Sequence, residues 1–151
     1  MWFESNEGKG STFYFSFTTE SHETPPRSLI SDVAANKMIL LVDSVQTRLQ
    51  VLSKRLTYHG LRTMTFPSGT EARAFFQSAN FKLGQIDLVL TDLYEAQYFI
   101  YDLDPNIPIV LMGYHQMVQM SKPFVKKPVR EKALQLVIYQ AFTKEPVCFF
   151  F

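Results

Sequence analysis

Two acids and a lysine, Asp43, Asp92 and Lys127, each stand at the end of a short apolar run: Leu40-Leu41-Val42-Asp43, Ile86-Asp87-Leu88-Val89-Leu90-Thr91-Asp92 and Phe124-Val125-Lys126-Lys127. Runs of this length, rich in leucine and β-branched residues, predict strands. In an open α/β sheet, ligands gather outside the carboxyl ends of the strands. Two carboxylates and an ammonium delivered to that edge therefore predict a site for charged chemistry.

The elements that must position these groups follow from the pattern of the chain. From Lys37 onward, strands and helices alternate. Strands are predicted at about 38–43, 61–66, 86–91, 107–112 and 124–126, and helices at about 45–59, 69–81 and 129–142. Ser68-Gly69-Thr70-Glu71 opens the second helix as a capping box. The last helix presents Ala133, Leu134, Val137, Ile138 and Ala141 on one face, with Pro128 just before it. The bond preceding Pro128 is a candidate for the cis form. Alternating βα units imply a parallel sheet with helices on both faces, because the crossovers are right-handed. No internal repeat is found.

Ahead of this body, residues 1–19 read as two strands around a turn. Trp2-Phe3-Glu4-Ser5 is followed by Asn6-Glu7-Gly8-Lys9-Gly10 and then by alternating Phe13-Tyr14-Phe15-Ser16-Phe17. A lone hairpin is marginal in water and is expected to pack on something. Residues 20–36, polar and carrying Pro25-Pro26, read as a linker. Residues 37–143 form the main domain, and 144–151 a tail.

Composition narrows the function classes. At 151 residues and 46% hydrophobic, the chain supports one main domain with a real core. A net charge of +1, with no dense basic block beyond Lys122, Lys126 and Lys127, nominates no nucleic acid. The single cysteine, Cys148, rules out an internal disulfide and a thiolate metal cage. No apolar run approaches the roughly 20 residues that span a bilayer, and the amino terminus lacks the layout of a secretory signal. A cytoplasmic protein is expected.

On these residues the stretch from Lys37 to about Phe142 resembles the receiver domain of two-component signalling. The resemblance implies a flavodoxin-like (βα)5 fold with a parallel sheet of order 2-1-3-4-5. It implies that Asp43 is the acid that holds Mg²⁺, that Asp92 is the phosphoacceptor and a second metal ligand, and that Lys127 is the lysine of the family's Lys-Pro pair. Such chemistry needs the set together, because a carboxylate attacks phosphorus only when cations neutralise the equatorial oxygens. Lys122-Pro123-Phe124 also resembles the family's Lys-Pro-Phe, but choosing Lys122 would shrink the fourth helix almost to nothing, so Lys127 is preferred. The amino-terminal hairpin is similar to the last glycine-rich box and final strands of the histidine-kinase ATP-binding domain. The asparagine box, the Asp-x-Gly box and the lid of that domain are missing, so no ATPase or other enzyme activity is expected. The order of the two resemblances implies a piece of a hybrid histidine kinase.

The departures from the family pattern predict a degenerate, receiver-like domain. Ser44 stands where a second acid is usual, which weakens any Mg²⁺ site, since Mg²⁺ depends on a few carboxylates. Gly113 stands where the family has Thr or Ser, and offers no hydroxyl. Asp92 to Pro108 is 16 positions and Gly113 to Lys127 is 14, so the third and fourth helices are expected to be shortened. Leu93-Tyr94-Glu95-Ala96-Gln97-Tyr98 lacks the family's Met-Pro loop. The expected role is a regulatory interaction module of phosphorelay signalling with impaired phosphoryl acceptance. Its partners would be the histidine-kinase core or a phosphorylatable receiver of the same protein, or a phosphotransfer protein. One alternative is a working phosphoacceptor with Mg²⁺, in which Glu95 or a backbone carbonyl replaces the missing ligand. A second is a lipid-anchored interaction protein, since Cys148-Phe149-Phe150-Phe151 fits a Cys-a-a-X pattern.

Plainer readings accompany these. Asp43 and Asp92 could simply cap the helices that follow them. Lys126 and Lys127 could be solvated charges at a helix start. His22-Glu23-Thr24-Pro25 is read as linker, and His59 and His115 have no partner at metal spacing. Tyr94, Tyr98, Phe99 and Tyr101 are read as packing into the space of a missing helix rather than as a docking surface.

Overall fold

The computed structural model describes residues 1–18, 28–79, 81–82, 84–114 and 122–144. His22, His115 and Cys148, with the readings attached to them, lie outside the described residues.

Residues 38–126 build a five-stranded parallel sheet from β3 (Met38–Val42), β4 (Arg62–Phe66), β5 (Leu88–Asp92), β6 (Ile109–Gly113) and β7 (Phe124–Lys126). The strand order is β4-β3-β5-β6-β7, the 2-1-3-4-5 order expected of a flavodoxin-like fold. The central strands are continuous apolar runs because both of their faces are covered. Side chains alternate across the sheet. Ile39, Leu41, Leu88 and Leu90 face one core, closed by α2 (Gln46–Tyr58) and α5 (Glu131–Thr143). Leu40, Val42 and Val89 face the other, under α3 (Gly69–Phe76) and α4 (Leu93–Ala96).

The second core is aromatic. Phe76 lies between Phe81 and Phe99, with ring centroids 5.0 and 6.0 Å away, and Phe75 touches Phe66 at 5.3 Å. Predicted to run to Phe81, α3 stops at Phe76. Gln77 N–H and Ser78 N–H donate to the carbonyls of Arg73 and Phe75, and Ser78 Oγ adds a bond to Phe75, closing the end. At its start Ser68 accepts from Glu71 N–H at 3.2 Å, as the capping box implies.

As the spacing predicted, the third helix is reduced to the single turn of α4 and a 3-10 turn at Ile100–Asp102. Phe99, fully buried, fills part of the vacated space, but Tyr94, Tyr98 and Tyr101 are exposed, so the packing expectation holds for the phenylalanine and fails for the tyrosines. Gly69 explains how α3 and α4 meet. A Cβ there would collide with the Glu95 carbonyl oxygen and reach Tyr98 Cβ at 3.0 Å.

The ordered body starts before position 37. Residues read as the end of the linker form α1 (Ser31–Ala34), and Ile30 and Ala34 belong to the core beneath α5. Gln135, on the buried face of α5, accepts from the Leu29 N–H at 2.8 Å. The amino-terminal hairpin pairs β1 (Trp2–Asn6) with β2 (Gly10–Tyr14) in antiparallel register, Trp2 opposite Tyr14 and Phe3 opposite Phe13. Contrary to the packing expectation, every residue of both strands is exposed.

Candidate functional site

Strand register brings the three sequence-predicted groups together. Val42 pairs with Thr91, so the next residues, Asp43 and Asp92, leave the sheet side by side. Asp92 in turn lies beside Met112, and Gly113 beside Lys126, which delivers Lys127 one step later. The Lys127 N–H donates to the Gly113 carbonyl at 2.7 Å, and the Lys127–Pro128 peptide is cis. Lys122 is exposed near the opposite end of β7, so of the two lysine candidates Lys127 is the one at the site.

All three side chains are buried: Asp43 is 0% exposed, Lys127 2% and Asp92 8%. Charges this far from water persist only when paired. The Lys127 ammonium donates to Asp43 Oδ2 at 3.0 Å and also to Asp92 Oδ2. It lies 5.9 Å from the centre of the Tyr114 ring, close enough for a cation–π contact. Asp92 Oδ1 accepts from the Tyr94 N–H at 2.8 Å, capping α4. Asp92 therefore caps α4 through one oxygen and pairs with Lys127 through the other. Asp43 likewise accepts from the Val45 N–H at 2.8 Å.

A fourth member went unnoticed in the sequence. Arg48, in the first turn of α2, grips Asp43 with both arms of its guanidinium, Nε to Oδ2 at 2.6 Å and Nη2 to Oδ1 at 2.7 Å. Such a planar fork is the strongest neutral-pH partner a carboxylate has among side chains. Burial pushes the Asp43 carboxyl upward, but Arg48, the Val45 N–H and Lys127 together outweigh it and hold the group below the usual aspartate range. The same contact raises Arg48.

The side chain expected to replace the missing ligand, Glu95, is placed elsewhere. Ser44 is exposed beside Asp43. Glu95 points away to the start of α3, where Oε2 accepts from the Gly69 N–H at 2.7 Å, so it supplies no ligand to the acids. The space beside Gly113 belongs to Phe124, whose ring atoms lie 3.2 and 3.3 Å from where a Cβ would be.

The donor set can be tested against Mg²⁺, which requires near-octahedral oxygen ligands at about 2.0–2.1 Å. A carboxylate offers about four lone-pair sites. On Asp43 these are met by Arg48 twice, by Val45 and by Lys127. Among the described residues no group of three or more acid, histidine or cysteine side chains is placed to hold a metal ion. These residues do not fit a Mg²⁺ cradle in this arrangement. What they build is a neutral four-charge cluster, Asp43 and Asp92 against Arg48 and Lys127.

A second polar cluster joins α2 to α5. His59 Nε2 lies 2.6 Å from Glu131 Oε1, and Gln135 donates to the same oxygen at 3.0 Å. Burial raises the Glu131 carboxyl, but Gln135, His59 and Arg55 outweigh it and bring it below its ordinary value.

No family model and no curated protein matches the chain. Solved structures do. The chain is similar to a response regulator receiver protein from Sinorhizobium medicae, at 24% identity over 73% of this chain and 98% of that one, with a TM-score of 0.58. It is similar to a CheY-like receiver domain protein from Methanospirillum hungatei, at 17% identity over 73% and 96%, TM-score 0.61. It is also similar to the receiver domain of the hybrid histidine kinase CckA, at 19% identity over 70% and 99%, TM-score 0.57. The shared property is the fold: the chain carries the receiver architecture across nearly the whole length of each of these domains.

Proposed function

We propose that residues 37–143 form a receiver-like regulatory module of two-component phosphorelay signalling that acts by binding and accepts phosphoryl groups poorly. The observation that carries this reading is the neutral cluster. The carboxylate at the acceptor position, Asp92, is tied to Lys127 and to the Tyr94 N–H, and the acid at the metal position, Asp43, is held by Arg48. A nucleophilic carboxylate needs cations that can turn toward the incoming phosphorus, whereas here Arg48 spends both arms of its guanidinium on Asp43, the acid at the metal position.

The fold supports the signalling class, and the sequence of residues 1–19 supports attachment to a histidine-kinase core. On this reading the partners are that core, or a phosphorylatable receiver of the same protein, with the phosphotransfer protein as the species whose traffic is regulated. No helix among the described residues is long and apolar enough to cross a membrane. The test is exposure of the full chain to acetyl phosphate with Mg²⁺, followed by intact-mass analysis. The expected result is no stable adduct. Stoichiometric labelling that disappears in Asp92→Asn would overturn the proposal.

A further inference from the structure

We propose that Arg48 is an internal counter-ion standing in for a divalent cation, and that it keeps the acid pocket in one metal-independent state. The inference rests on the receiver-like reading above and concerns what regulates the same pocket.

Three observations carry it. Arg48 is the third residue of α2, at the end of a helix where the macrodipole is positive, and that first turn contains no acidic residue. A cation there works against the dipole, so the helix does not favour it, and Asp43 does. Both arms of the fork are spent on Asp43, at 2.6 and 2.7 Å, although the Arg48 side chain is 28% exposed and has water within reach. Asp43 itself is completely covered. The guanidinium therefore lies between the carboxylate and solvent, and an ion approaching from that side must first displace it. Finally, the two acids and two bases of the cluster already sum to zero. A doubly charged ion added to it would leave an excess of two positive charges in a site with little water to screen them.

Two changes thus separate this pocket from one that could take a metal: the fork on Asp43 and the loss of a carboxylate at Ser44. They are separable by experiment. Mg²⁺ is titrated into the wild-type chain, S44D, R48A and the double variant S44D/R48A, with binding read by calorimetry and by amide shifts at Asp43 and Asp92. R48Q in the S44D background serves as a second variant should alanine unfold the domain. Wild type and S44D are expected to be indifferent to millimolar Mg²⁺. S44D/R48A, or S44D/R48Q, is expected to bind it at least about tenfold more tightly than S44D, because the carboxylate sites that Arg48 occupies are then open to the ion. S44D binding as tightly as the double variants would overturn the role given to Arg48. So would folded double variants that take no metal. No phosphoryl donor is present, so a failure here leaves the labelling result standing, and a failure of the labelling test leaves this one readable.

Discussion

Replacing Lys127 by Met removes one charge from the cluster while keeping most of the volume of the buried stem. The Lys127 side chain is 1% exposed, so the packing contribution changes little and the loss is electrostatic. Asp43 keeps its compensation, because Arg48 and the Val45 N–H still hold both oxygens. Asp92 does not, since its one remaining partner among these contacts is the Tyr94 N–H. Breaking a buried ion pair costs about 3–5 kcal/mol, and because the Asp92 side chain retains 11% exposure the lower end, roughly 3 kcal/mol, applies here. A domain of this size is stable by about 5–15 kcal/mol, so the variant should fold with a much reduced margin. With a urea slope of about 1–3 kcal/mol/M, the midpoint falls by roughly 1–3 M. Far-UV circular dichroism during urea denaturation at neutral pH measures it. Adding Asp92→Asn to Lys127→Met removes the stranded charge, and the double variant should recover about 1–2 kcal/mol, within the coupling expected of contacting residues. The reasoning fails if Lys127→Met shifts the midpoint by less than about 0.3 M, or if Asp92→Asn lowers the stability of that variant further.

Three further outcomes follow from other contacts. Because the folded Asp43 carboxyl lies below its ordinary value of 3.8, its contribution to stability is present above that pH and is lost as pH falls through the folded value; urea midpoints measured across the acid range should fall less steeply for Asp43→Asn than for wild type. Gly69→Ala puts a methyl group against the Glu95 carbonyl, and should cost about 1–3 kcal/mol in chemical denaturation. A neutral result would mean that α3 and α4 do not approach as closely as described. Gln135→Leu leaves the Leu29 N–H without its acceptor, and amide exchange at Leu29 should accelerate about fivefold, equivalent to about 1 kcal/mol for one hydrogen bond.

The parts of the molecule legible in the sequence were those fixed by local pattern. Apolar runs gave the strands of the sheet, and the spacing after Asp92 foretold a shortened third helix. Asp43, Asp92 and Lys127 were legible because each ends a strand. Arg48 was not, because a charged residue on a helix reads by default as solvated, and only the backbone turn after β3 folds it back onto Asp43. A signal was nonetheless present: a basic residue in a helix's first turn with no acid beside it runs against the dipole and asks for a specific partner. Gln135 was hidden for a related reason. It interrupts an apolar face as a polar residue, and its acceptor role depends on Leu29, a residue 106 positions away. The early start of the body at Ile30 was missed because α1 has only four residues, too few to show a period.

The chain's single tryptophan, Trp2, sits on the hairpin, stacked on Tyr14 with ring centroids 5.3 Å apart and more than half exposed. An indole this exposed is expected to emit as a wetted one and to report on the hairpin. Indole fluorescence is consequently blind to residues 37–143, and a denaturation curve recorded that way would follow the wrong part of the chain. Conversely, any macromolecule that covers the hairpin should shift that emission to the blue, which makes Trp2 a built-in probe for whatever sheds water from those strands.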